Sequence, residues 1–230
     1  MRGIYIVGGY PDKESFLKIA DIVLNKMDFI EIGIPFSDPV ADGPIISSAI
    51  NNILGKINVK EIIDITKLLG KEKNIFYMTY SNIIYSYGIK KFSDEVKNYI
   101  KGIIIADLPN RLHDFFYQRG LEIPIIPFIT PESRESDIKE IIKYRPPFIY
   151  FIGIRGITGS KADLDNSEII DKIKVIKKLT DIPVIIGFGI KGKKDAKKAI
   201  SIADGFVIGT EAVKVQNNLQ LFIDFVNSLQ

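Results

Sequence analysis

The 230 residues carry 31 basic and 28 acidic side chains, one histidine, no cysteine and 46% hydrophobic residues, for a formal net charge of +3. That composition excludes a disordered or fibrous chain, and the small charge without a basic cluster interleaved with aromatics excludes nucleic acid as the expected partner. No apolar run approaches the roughly 18 residues of a membrane span, the apolar start MRGIYIVGG is too short for a secretory signal, and the absent cysteines remove disulfides and thiolate zinc sites, so a cytoplasmic chain with no metal site is expected.

Short β-branched runs alternate with amphipathic stretches along the whole chain. Residues 3–9 predict a first strand, and 15–27 a helix with Phe16, Ile19, Ala20 and Val23 on one stripe. A second strand spans 29–35, a polar loop 35–44, and a helix 59–69. Strands follow at 74–80, 102–108 and 123–129, then a helix at 138–144. The last part alternates strand 148–154, helix 168–179, strand 183–189, helix 194–202, strand 205–210 and helix 212–229. Eight strand-then-helix units with no linker predict one domain over residues 1–230, an α/β fold of the (β/α)8 TIM-barrel type. An open doubly wound sheet is the second architecture, but Gly8-Gly9-Tyr10-Pro11 after the first strand is not a dinucleotide fingerprint.

In a barrel the polar residues at the C-terminal ends of the strands carry function. Alternation on the second strand sends Ile30, Ile32 and Ile34 to the helices and Phe29, Glu31 and Gly33 inward. An inward acid is costly unless it is paired or functional. A salt bridge across the barrel is one reading of Glu31. Few lysines or arginines fall at inward positions, so the functional reading leads. Asp38 and Asp42, in the loop above, are turn formers on spacing alone, yet a second carboxylate over Glu31 could divide acid and base work with it. Gly187-Phe188-Gly189, Gly209-Thr210 and Gly156-Ile157-Thr158-Gly159-Ser160 form small-residue loops at neighbouring strand ends, a pattern suited to a phosphate. Tyr80 and Tyr150 are either core aromatics or walls of a cavity for a flat ring. Asp107 ends the fourth strand as a hydrogen-bonding brace, and His113 falls at an expected exposed helix start, with no role.

The run Glu31-Ile32-Gly33-Ile34-Pro35-Phe36-Ser37-Asp38-Pro39-Val40-Ala41-Asp42-Gly43-Pro44 resembles the signature of the tryptophan synthase α subunit family. The likeness continues through Met78-Thr79-Tyr80-Ser81-Asn82, Ala106-Asp107-Leu108-Pro109, Gly156-Ile157-Thr158-Gly159, Gly187-Phe188-Gly189 and Gly209-Thr210. The resemblance implies a (β/α)8 barrel that cleaves indole-3-glycerol phosphate to indole and glyceraldehyde 3-phosphate. It implies Glu31 as the general acid and base, Asp42 as the partner of the indole N–H, and Tyr150 as an active-site tyrosine near Glu31. Gly159, Gly187, Phe188, Gly189, Gly209 and Thr210 match phosphate-binding positions, and Tyr80, Thr158 and Asp107 fall in the substrate pocket. No cofactor is implied in this chain. Pyridoxal phosphate belongs to a partner β subunit in an α-β-β-α complex, with Pro35, Asp38 and Asn82 at the interface and loop 156–165 closing over the substrate. Three features depart from the family pattern. Tyr10-Pro11 replaces Asp-Pro, Thr210 replaces Ser, and the first strand lacks the usual preceding floor helix, so bulky residues such as Phe76 are expected to close the barrel floor.

Overall fold

A computed structural model describes residues 1–153 and 164–230. The β-branched runs form strands β1 (Arg2–Val7), β2 (Phe29–Gly33), β3 (Ile75–Thr79), β4 (Gly102–Ile105), β5 (Phe128–Ile129), β6 (Ile149–Phe151), β7 (Val184–Ile186) and β8 (Gly205–Ile208). The helices are α1 (Lys13–Lys26), α2 (Pro44–Ile53), α3 (Val59–Leu69), α4 (Ser81–Tyr87), α5 (Ile89–Val96), α6 (His113–Tyr117), α7 (Glu135–Ile142), α8 (Ser167–Leu179), α9 (Lys193–Ile202), α10 (Thr210–Val215) and α11 (Leu219–Ser228).

All paired strands are parallel, in the order β4-β3-β2-β1-β8-β7-β6-β5. A single bridge between Ile103 and Ile125 closes the ring: the Ile103 N–H donates to the Pro124 carbonyl at 2.9 Å, and the Ile126 N–H donates to the Ile103 carbonyl at 2.8 Å. The eight-stranded barrel expected from the alternation is therefore present. Strand β5 is far shorter than the expected 123–129, because Pro124 and Pro127 have no N–H to give the ladder. The other strands end earlier than expected, as their last residues turn into the loops that form the mouth.

Two apolar layers follow from strand alternation. Outward residues such as Ile4, Ile6, Ile30 and Ile32 pack with Phe16, Ile19 and Val23 of α1. Inward residues Tyr5, Val7, Phe29, Phe76, Ile104, Phe148, Tyr150 and Val207 fill the barrel. Phe29, Phe76 and Phe148 meet pairwise with ring centroids 5.0–5.5 Å apart, near the N-terminal ends of their strands. These rings fill the floor, as expected for Phe76. Aromatic pairs at this spacing add about 0.5–1.5 kcal/mol beyond their burial.

Helices α2, α4 and α5 were not legible as helices, whereas α6 begins at His113, where a helix start was expected. Helix α2 follows a proline-rich loop, and Pro44 supplies its first turn, where a missing N–H costs nothing. Its face of Ile46, Ala49, Ile50 and Ile53 joins the inner layer. Helices α4 and α5 are short because Gly88, at φ 94°, breaks them. The expected helix 212–229 is two helices. Asn218 caps α11 by accepting the Leu221 N–H at 3.1 Å, and fully buried Gln216 turns toward β1. Gln216 accepts the Val7 N–H at 2.9 Å and donates to the carbonyls of Val7 and Tyr10, both at 2.8 Å. His113 is buried rather than exposed, because the preceding 3-10 turn over Asn110–Leu112 carries it inward; burial pushes its pKa down to about 4, so the ring is neutral. No helix among the described residues is long and apolar enough to cross a membrane.

Candidate active site

Glu31 stands in the middle of β2, opposite Tyr5 of β1 and Phe76 of β3. Its side chain is completely buried. Among the described residues it has no ion pair, which removes the salt bridge across the barrel. The Tyr150 hydroxyl donates to Glu31 Oε2 at 3.4 Å, and Oε1 has no hydrogen-bond partner. Burial in this apolar layer raises the carboxyl pKa from 4.5 to about 8, with the Tyr150 bond offsetting part of the rise. Glu31 is therefore protonated near neutral pH.

Two glycines make room for this arrangement. The ring of Tyr150 occupies the place of a Gly187 Cβ, which would lie 1.6 Å from the ring. The Tyr5 hydroxyl lies where a Gly33 Cβ would come within 2.2 Å. Any larger residue at either position would displace a tyrosine that walls the carboxyl.

The loop after β2 brings Asp42 over the same cavity. Its turn is set by the Asp42 N–H donating to the Pro39 carbonyl at 3.0 Å. The Tyr80 hydroxyl donates to Asp42 Oδ2 at 2.8 Å and accepts the Ala41 N–H at 3.1 Å. Burial raises the Asp42 pKa, and the Tyr80 bond lowers it in part. The Tyr80 ring rests on Phe36, with centroids 5.0 Å apart. Tyr80 thus reaches the site by holding Asp42. Asp38, two residues beyond Phe36, is exposed, as is Val40.

Glu31 and Asp42 line one cavity of about 600 Å3, its open mouth included, with Tyr5, Ile46, Met78, Tyr150, Phe188 and Thr210. That size suits a small organic ligand. Gly187, Gly189 and Gly209 also line it. Gly189 and Ile190 line the cavity, and their N–H groups have no hydrogen-bond partner among the described residues. Gly187 differs from the expectation for a phosphate contact. Its N–H turns to the Phe151 carbonyl at 3.4 Å and its open face carries the Tyr150 ring. Asp107 also differs: it lies outside the cavity and accepts the backbone N–H and the hydroxyl of Ser81, both at 2.7 Å, which anchors the start of α4. Thr158 and Gly159, with most of loop 156–165, lie outside the described residues. Among the described residues no group of three or more His, Asp or Glu is placed to hold a metal ion.

Tyr5, Ile46 and Met78 were missed as site residues. Tyr5 was within reach, because it alternates inward at the register of Glu31. Ile46 was not, because it depends on α2 folding back over the mouth.

The sequence-family model described as tryptophan synthase alpha chain matches residues 4–225. The chain belongs to the tryptophan synthase alpha chain family. The tryptophan synthase alpha chain of Thermotoga petrophila is 36% identical over 223 residues, covering 94% of this chain and 90% of that one. The Staphylococcus haemolyticus alpha chain is 39% identical over 217 residues, covering 91% and 87%. The solved tryptophan synthase subunit alpha from Campylobacter jejuni superposes with a TM-score of 0.88 at 28% identity, covering 100% of this chain and 95% of that one. A chain of the tryptophan synthase α2β2 complex from Pyrococcus furiosus gives 0.85 at 27% identity, covering 99% and 96%. Tryptophan synthase alpha chains are lyases that cleave indole-3-glycerol phosphate in tryptophan biosynthesis, and the family assembles with a β subunit in the Pyrococcus furiosus complex.

Proposed function

We propose that this chain, read as one catalytic domain of the cytoplasm, cleaves indole-3-glycerol phosphate with Glu31 as acid and base and Asp42 as the group that bears the indole nitrogen. The observation that carries the reading is the buried Glu31 carboxyl, protonated near neutral pH and with Oε1 unpartnered, at the foot of a cavity that also holds Asp42. A protonated acid in an apolar wall is what the first step requires.

Glu31 gives its proton to C3 of the indole ring, and the ring nitrogen becomes an iminium. The Asp42 carboxylate accepts the N–H hydrogen bond and stabilises that positive charge; Tyr80 fixes its orientation. The Glu31 carboxylate then takes the proton of the hydroxyl next to the ring. The oxygen forms the aldehyde, the C–C bond breaks, and its electron pair returns to the ring as indole. Glu31 ends protonated, as it began. The protonated ring is the electron sink, so the chemistry calls for no cofactor in this chain; pyridoxal phosphate belongs to the β subunit that consumes the indole. Tyr150 holds the Glu31 carboxyl in line. The glycerol phosphate lies toward the loops of Phe188-Gly189 and Gly209-Thr210, where the Thr210 hydroxyl and backbone N–H groups meet it; Gly159 and Thr158 complete this end in the family pattern.

The β subunit docks on the mouth face that bears Pro35, Asp38 and Asn82. Exposed Val40 and Tyr85, at 66% and 63%, lie on the same loop and helix and support this face as apolar contact surface. Loop 156–165 closes over bound substrate and links the two sites.

The experiment is the rate of indole release from indole-3-glycerol phosphate by the purified chain, alone and with a β subunit. Release that rises sharply with the β subunit is expected. Equal rates in both conditions would remove the partner, and no release in either would remove the reaction.

A further inference from the structure

Lys191 is the one cationic side chain lining the cavity among the described residues. It follows Gly189 and Ile190, whose N–H groups have no partner among the described residues, and its own N–H donates to Asp195 Oδ2 at 2.9 Å, which fixes its backbone at the entry to α9. Its ammonium group has no ion pair or hydrogen-bond partner among the described residues. The lysines that follow, Lys193 and Lys194, do not line the cavity.

The acids around it give this free charge its significance. Asp42 and Glu211 line the same cavity. Glu211 Oε1 is already paired with the Lys214 ammonium at 2.7 Å, and Asp42 is committed to Tyr80. Among the described residues, a phosphate dianion entering this cavity meets two acidic groups and, apart from backbone N–H donors, Lys191 alone as compensation. Within one Debye length, about 8 Å at physiological ionic strength, salt does not fully screen an unpaired ammonium from such a charge.

We propose that Lys191 binds the substrate's phosphate through its ammonium group, so that a side-chain charge selects phosphorylated substrates alongside the backbone N–H donors. This rests on the function proposed above and adds a residue to it. The contact is a uniform one: it holds ground state and transition state alike and leaves the ring chemistry untouched.

The test compares Lys191→Gln, Lys191→Arg and, as a control for net charge, Lys193→Gln, each assembled with the β subunit. For Lys191→Gln the KM for indole-3-glycerol phosphate rises on the order of three- to tenfold, with kcat within about twofold, since an exposed charge pair is screened by water. Added salt raises the wild-type KM more steeply than that of Lys191→Gln. Lys191→Arg and Lys193→Gln stay near wild type. Calorimetric titration with glycerol 3-phosphate weakens in the same ratio for Lys191→Gln. A KM and a glycerol 3-phosphate affinity for Lys191→Gln equal to those of Lys193→Gln would overturn the proposal. Should the wild type release no indole, the function proposed above fails by itself, and the glycerol 3-phosphate titration still decides the role of Lys191.

Discussion

The Tyr150 ring lies across Gly187 of the neighbouring strand end, in the space a Gly187 Cβ would need, and from there its hydroxyl reaches Glu31 Oε2 at 3.4 Å. The glycine is the condition for the tyrosine's position, and the tyrosine is the only hydrogen-bonding partner of the buried carboxyl among the described residues. A small residue at a strand end thereby sets the surroundings of the buried carboxyl without any polar atom of its own touching it.

Gly187→Ala forces the ring out of its slot, an overpacking that costs about 1–3 kcal/mol. It lowers kcat more than Tyr150→Phe does, because Tyr150→Phe removes one long hydrogen bond and keeps the wall. Thermal melting and steady-state indole release check this together. Equal kcat values for the two variants would separate the glycine from the tyrosine.

Glu31 makes both activity and stability depend on pH. Its folded-state pKa, about 8, lies above the ordinary 4.5. The folded state holds the proton through that interval and the unfolded state does not, so the stabilising contribution is complete below pH 4.5 and is lost as pH rises toward 8. The loss is on the order of 4 kcal/mol. Glu31→Gln has no such titration: at pH 8 and above it melts higher than wild type, while cleavage falls by at least about 10²–10⁴. In the wild type, kcat/KM declines above about pH 8 as the acid form is lost. Wild-type melting that is flat between pH 5 and 8 would contradict the assignment of a buried acid.

Asp42 and Tyr80 form a second pair with separable roles. Asp42→Asn keeps the turn and the Tyr80 contact but removes the charge that faces the ring nitrogen, so kcat falls about 10²–10³ with little change in KM. Tyr80→Phe leaves the charge and frees its orientation, so its loss is smaller. Turnover of Asp42→Asn at the wild-type rate would return this aspartate to a turn-forming role.

Thr210 lines the cavity at the start of α10, in the end of the cavity proposed above to take the phosphate. Losing one hydroxyl contact in Thr210→Ala raises KM about two- to tenfold, with kcat nearly unchanged. An effect confined to kcat would place Thr210 at the reacting bond instead.

Much of this protein was determined by the sequence alone. Period-two alternation sent Glu31 inward, and eight strand-helix units specified the barrel, because side-chain direction and layer packing follow from local pattern. The ends of elements were less legible. The prolines that reduce β5 and the split between α10 and α11 depend on which backbone groups find partners across the fold. Tertiary structure alone decided that Glu31 is a neutral acid, since a carboxyl pKa is set by the apolar wall assembled around it from β1, β2, β6 and β7. It also decided that Asp107 anchors α4 instead of lining the cavity and that Gly187 carries a tyrosine ring. Each of these is a contact between residues far apart in the chain, and spacing along one strand or helix carries no record of it.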